Sequence, residues 1–129
     1  MNAVRSLILT LSAAGAMALA AGARAEPADA LPGASLYRAR CGTCHSLDAN
    51  RIGPAHRGVV GRMAGRAPGY SYSPALKASE IIWNAANLDQ WLQGPQKMVK
   101  GSKMYFVVPG VSDRALIIKY LQTLPADET

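Results

Sequence analysis

The chain has 129 residues, a formal net charge of +6, two cysteines and one phenylalanine. That length points to a single domain, two cysteines so close together could pair only as a tight local loop and make a poor disulfide framework, and one phenylalanine leaves a domain of this size short of large apolar side chains. The positive charge comes without the interleaved basic and aromatic residues of a nucleic-acid interface, so no nucleic acid is expected as a partner.

Residues 1–25 read as a secretory signal peptide. Arg5 supplies the charged start, an apolar run extends from Leu7 to Leu19, and Ala23-Arg24-Ala25 has the small-x-small form of a cleavage site. Cleavage after Ala25 takes Arg5 and Arg24 with it and leaves a domain of residues 26–129 with a net charge of +4. The alternative is retention of the segment as a membrane anchor, against which the run breaks at Glu26-Pro27. No later apolar stretch is long enough to span a bilayer. The expected product is a periplasmic monomer, peripheral at most to the membrane.

The predicted elements are helical. A first helix covers residues 32–43, with Leu36, Tyr37 and the aliphatic part of Arg40 at helical spacing. Gly33 would let another helix cross close to Tyr37. A glycine-rich loop over residues 46–72 is too long for plain linkage, and such loops are usually functional. Ser73-Pro74 opens a short helix to about residue 79. Asn87 with Gln90 reads as a capping box for a helix through Gln93, stopped by Gly94. Pro95 starts a short helical piece before Met98, and KGSKMYFVVPG is an extended apolar loop. Ser112 or Asp113 would cap a last helix whose buried stripe is Ile117, Tyr120, Leu121 and Leu124, ended by Pro125.

Both cysteines fall in CGTCHS, at Cys41 and Cys44, with His45 directly after. A redox dithiol needs a strand before it and a helix after it, and here the order is helix then loop. A zinc site needs four ligands, and Cys41, Cys44, His45 and His56 have no usual zinc spacing. C-x-x-C-H is the attachment signature of a c-type haem: one turn separates the thiols that bond the haem vinyls, and His45 projects between them toward the iron. Haem would also supply the large apolar body that the core lacks. For a second axial ligand the chain offers Met63, Met98, Met104 and His56, and a methionine alone is more often a core filler than a ligand.

The stretches CGTCHS, IGPAHRGVVGR, APGYSYSPALK, IIWNAANLDQWLQGP and GSKMYF occur in one order from Gly33 to Leu124. In them the chain resembles class I cytochrome c, the small soluble monohaem type of mitochondria and purple bacteria. The resemblance implies an all-α fold in which the N- and C-terminal helices cross around one covalently attached haem c, bound through Cys41 and Cys44, with long loops wrapping it. It implies that Met104 is the sixth ligand opposite His45 and that the Pro54 carbonyl accepts the proximal imidazole N–H. It places Arg62, Tyr72 and Trp83 at positions that face the haem propionates, where buried carboxylates need donors. Three positions depart from the pattern. Trp91 stands where a tyrosine is usual beside the methionine ligand, which leaves open whether its N–H reaches the sulfur. Lys100 replaces a proline before Gly101, which would loosen the loop. His56 follows Gly-Pro-Ala and reads as a solvated loop residue.

The function so implied is a periplasmic one-electron carrier, not an enzyme, because with both axial positions filled no substrate reaches the iron. Lys97, Lys100 and Lys103 precede Met104 and would rim the exposed haem edge. Charge there steers encounters with acidic docking faces, such as those of an oxidase, a bc1-type complex, a reaction centre or a dehydrogenase. Two rival readings are a five-coordinate haem that binds gas or reduces peroxide, and a dedicated electron-transfer subunit of one periplasmic dehydrogenase or oxidase.

Overall fold

The computed structural model describes residues 26–126, so the signal peptide expected over residues 1–25 lies outside the described residues. Among the described residues five α-helices follow a single 3-10 turn at Ala28–Ala30: α1 (Pro32–Arg40), α2 (Pro74–Lys77), α3 (Ala85–Gln93), α4 (Pro95–Met98) and α5 (Val111–Gln122). Among the described residues no strand forms; the only pairing is an isolated antiparallel bridge between Met63 and Ile82. The all-α expectation is met. No helix among the described residues is long and apolar enough to cross a membrane.

Helix α1 starts on Pro32, whose fixed φ suits the first helical position. It ends at Arg40 rather than running to residue 43. The chain then tightens into a single turn, in which the Cys41 carbonyl accepts from the N–H groups of both Cys44 (3.1 Å) and His45 (2.8 Å). This turn carries the attachment motif.

The terminal helices cross at Gly33. A Cβ on Gly33 would lie 2.1 Å from the Leu116 carbonyl oxygen and 2.8 Å from Tyr120 Cβ, so the two helices meet backbone to backbone. Tyr37 and Tyr120 pack just beyond, ring centroids 5.5 Å apart. Ile117, Tyr120, Leu121 and Leu124 are buried as the periodicity indicates, and Ile118 joins them. Gly33→Ala is therefore expected to force the helices apart and to cost about 1–3 kcal/mol, the usual range for overpacking, read as a lowered melting temperature of the holoprotein. An unchanged melt would show that the crossing yields without cost.

Two helix starts differ from the sequence expectation. Helix α3 is capped by Asn84, not Asn87: Asn84 Oδ1 accepts from the Asn87 N–H (2.9 Å) while Asn87 Oδ1 accepts from the Asn84 N–H (2.8 Å). Asparagine at the third helical position closes the reciprocal pair that Glu or Gln usually closes. Its buried face is Leu88, Trp91 and Leu92. Helix α5 begins at Val111 on Gly110 without a side-chain cap, and Ser112 and Asp113 lie inside its first turn. Asp113 there still favours the helix through the macrodipole and pairs with Arg40 at 3.3 Å.

Arg114, 6 % exposed, points inward from α5. Its Nε donates to Asp89 of α3 (2.7 Å), and Nη1 donates to the Val108 (3.0 Å) and Pro109 (2.8 Å) carbonyls. A buried guanidinium needs this full set of acceptors, and the set ties the loop after Met104 to both helices. The 46–72 loop is held in a similar way. Asn50 donates to the Pro68 carbonyl (2.9 Å) and accepts from the Ala55 N–H (2.9 Å), and Tyr70 donates to the Ile52 carbonyl (2.7 Å).

Candidate functional site

The Cys41 and Cys44 thiols are free and half-buried at the end of α1. Burial, with Cys44 alongside, pushes the Cys41 thiol up to about 11. His45 follows on the same turn. Its Nδ1–H donates to the Pro54 carbonyl at 2.8 Å, which leaves Nε2 with its lone pair for a metal. Burial lowers the His45 pKa, and the Pro54 bond opposes this. Gly53 lies against the ring: a Cβ there would come within 2.2 Å of Cε1. The Gly53 N–H donates in turn to the Cys44 carbonyl (2.8 Å), so the Gly53-Pro54 segment folds back on the motif it supports.

His56 corrects the sequence reading. It is not a solvated loop residue. Its ring stacks on that of His45, centroids 3.9 Å apart and planes at 21°. Its Nδ1 meets the Tyr37 hydroxyl at 3.0 Å. Burial, reinforced by His45 and Arg62, holds the His56 pKa well below the usual histidine value, so the ring is neutral. Burial raises the Tyr37 phenol, which therefore stays protonated and donates to Nδ1.

Met104 sits on the segment between α4 and α5. The Trp91 Nε1–H donates to its sulfur at 3.2 Å, which answers the question raised by tryptophan at this position. A thioether sulfur is a weak acceptor; one lone pair turned to the indole leaves the other for a metal. The loop that carries Met104 is closed by Gln96, which sequence reasoning missed. Gln96 Nε2 lies 2.7 Å from the Ser102 carbonyl, 2.8 Å from Ser102 Oγ and 2.8 Å from the Met104 carbonyl, while Oε1 accepts from the Gly101 N–H at 3.1 Å. Gly101 takes φ +88°, which a side chain resists. Met98 is half-buried and packs on the core, and Met63 is 40 % exposed.

Backbone pairing brings Arg62 beside Trp83: the Trp83 N–H donates to the Arg62 carbonyl (3.0 Å) and the Gly61 N–H to the Trp83 carbonyl (2.7 Å). The Trp83 and Trp91 rings meet edge to face at 5.2 Å. Tyr72 OH accepts from the Ala67 N–H (3.1 Å), which leaves its own hydrogen to donate. Arg62 gives Nη2 to the Ala55 carbonyl (2.8 Å) and Nη1 to the Arg57 carbonyl (3.2 Å). Burial lowers its pKa, and nearby Tyr72 opposes this. A cleft of about 740 Å³ beside it is lined by Leu47, Val60, Arg62, Arg66 and Ala67, among others. Arg62 keeps further N–H groups beyond these two bonds, so Arg62 and Tyr72 both have donors left for an anionic group.

Of the three lysines expected to dock partners, Lys97 and Lys100 are exposed. Lys103 is also exposed, but its ammonium donates to the Ser71 carbonyl and lies 5.6 Å from the Tyr70 ring. It therefore spans from the Met104 loop to the 46–72 loop. Two free thiols one turn apart, an imidazole with Nε2 open and a thioether held by an indole form a donor set that suits a c-type haem.

The comparisons with known proteins agree. A cytochrome c family model matches residues 30–125. Cytochrome c of Euglena viridis is 43% identical over 99 residues, which cover 74% of this chain and 97% of that one. Cytochrome c2 of Rhodopila globiformis is 43% identical over 105 residues, 78% of this chain and 97% of that one. The solved structure of cytochrome cH from Methylobacterium extorquens matches with a TM-score of 0.67 at 42% identity, over 70% of this chain and 94% of that one. The helical fold, the C-x-x-C-H turn and these matches lead to one conclusion: the chain belongs to the cytochrome c family, with haem c as its covalent cofactor.

Proposed function

We propose that this protein is a periplasmic one-electron carrier, not an enzyme, whose haem iron is held axially by His45 and Met104. The observation that carries the reading is the pair of supports behind the two ligands: the Pro54 carbonyl on His45 Nδ1 and the Trp91 indole on Met104 Sδ. Each holds its ligand atom by a directional bond from the chain, so neither side chain would have to reorganise when the oxidation state changes. Bound haem supplies an iron that gains or loses one electron. His45 and Met104 would hold the metal from the chain and keep substrate from it, with the Pro54 carbonyl and the Trp91 indole orienting the two side chains. A neutral thioether favours the ferrous state and raises the potential. Arg62, Tyr72 and Trp83 would serve as donors to the propionates.

The partners proposed are redox proteins with acidic docking faces, an oxidase, a bc1-type complex, a reaction centre or a dehydrogenase. Lys97 and Lys100 are the free charges of the docking face, and Lys103 contributes while bridging to Ser71. Beside them Tyr105 and Phe106 are 74% and 46% exposed, an apolar patch within a charged rim, as contact surfaces often have. The test is the rate of electron transfer between the holoprotein and an acidic redox partner as salt rises. The rate is expected to fall, because exposed charges are screened over a Debye length of about 8 Å at physiological ionic strength, and charge reversal at Lys97 and Lys100 should slow it further at low salt. A rate independent of salt contradicts the docking face; no transfer at all contradicts the carrier.

A further inference from the structure

The Tyr37–His56 pair takes no part in haem attachment or docking, yet it touches the proximal ligand. We propose that Tyr37 and His56 are a positioning pair that fixes the plane of the His45 ring, and with it the overlap of that imidazole with the iron; this rests on the reading of His45 as an axial ligand. The Pro54 carbonyl holds Nδ1, one atom of the ring. A single hydrogen bond fixes only a point, and Gly53, which lies close to the ring, limits its tilt without a directional contact. A second ring stacked at 3.9 Å and 21° fixes a plane. That second ring is itself held by a directional bond, Tyr37 OH to His56 Nδ1 at 3.0 Å.

Tyr37 is a firm base for this. It is 3% exposed and lies on α1, four residues before the first thiol, with its ring against Tyr120 of α5. The contact chain runs from the helix crossing through Tyr37 and His56 to His45. Packing alone does not require it. Two polar groups placed inside a small core are costly unless they satisfy each other, and an aliphatic side chain at position 56 would fill the space without that cost. It would also slide, whereas a hydrogen-bonded ring does not.

The experiment compares ferric holoprotein of the parent with Tyr37→Phe and His56→Leu. The readout is the pattern of hyperfine-shifted haem methyl resonances, which follows the orientation of the axial imidazole plane, with melting temperature measured in parallel. Tyr37→Phe removes one hydroxyl and keeps the ring contacts, so it is the deciding variant. A changed methyl pattern is expected in Tyr37→Phe, and a larger change, with reordering of the methyl signals, in His56→Leu. A parent pattern in Tyr37→Phe overturns the pair, even if its melting temperature falls, because that outcome is packing alone. If His56→Leu does not fold, Tyr37→Phe still decides. Failure of the underlying axial reading looks different: the parent itself would then lack the spectrum of a histidine-methionine haem.

Discussion

Replacing Cys41 and Cys44 together with alanine is expected to abolish covalent haem and to leave a chain without a cooperative melt. Two of the five helices, α2 and α4, have four residues each, far below the length at which a helix is stable alone. Between α1 and α2 the chain runs through residues 46–72 with no helix at all. Its single phenylalanine, Phe106, is half exposed, so it does not fill the centre. A fully buried large apolar side chain contributes about 1.5–3 kcal/mol, and the loops around the site contribute few of these. The group attached at Cys41 and Cys44 is expected to replace them. Haem staining after denaturing electrophoresis and a far-ultraviolet melt are the measurements. A compact double variant with a sharp, parent-like melt would show that the polypeptide folds without its cofactor.

Gln96→Leu is expected to free the Met104 loop before the rest of the protein unfolds. The amide joins Gly101, Ser102 and the Met104 carbonyl, where the one other side-chain contact among the described residues is a long 3.5 Å bond from Ser102 Oγ to that carbonyl. Leucine keeps its bulk and satisfies none of them. Leaving a buried polar group unpaired costs about 1–3 kcal/mol, and part of this set can turn to water, so the expected loss is about 2–4 kcal/mol, confined to the loop. In a denaturant titration of ferric holoprotein, the weak near-infrared band of iron–methionine ligation should disappear well before the helical signal does. If the two signals fall together at the parent's midpoint, Gln96 does not hold the loop.

What could be read from the sequence was what depends on short spacing. The C-x-x-C-H turn is complete within five residues, and Ile117, Tyr120, Leu121 and Leu124 show their common face by period alone. Pro54 and Met104 came from the family resemblance, which also implied the His45–Pro54 bond that the structure contains. The misses are polar residues whose partners are set by how loops meet. His56 read as solvated because it follows Gly53-Pro54 in a loop and departs from the family pattern; only the folded loop brings it onto His45 and Tyr37. Gln96 and Asn50 are ordinary surface amides until Gly101 and Pro68 arrive beside them. Arg114 carried a usable signal, since it precedes Ile117 and Ile118 by three and four residues and so shares their buried face. The α3 cap was displaced by three residues because the reciprocal bond is closed by asparagine at both ends.

The central claim is that Met104 occupies the second axial position. The most direct measurement is the near-infrared band of iron–methionine ligation in purified ferric holoprotein, recorded for the parent, Met104→Ala and Met98→Ala. The band is expected in the parent and in Met98→Ala and absent from Met104→Ala, which alone should then bind carbon monoxide readily when reduced. A parent without the band, or a band that survives in Met104→Ala, would contradict it.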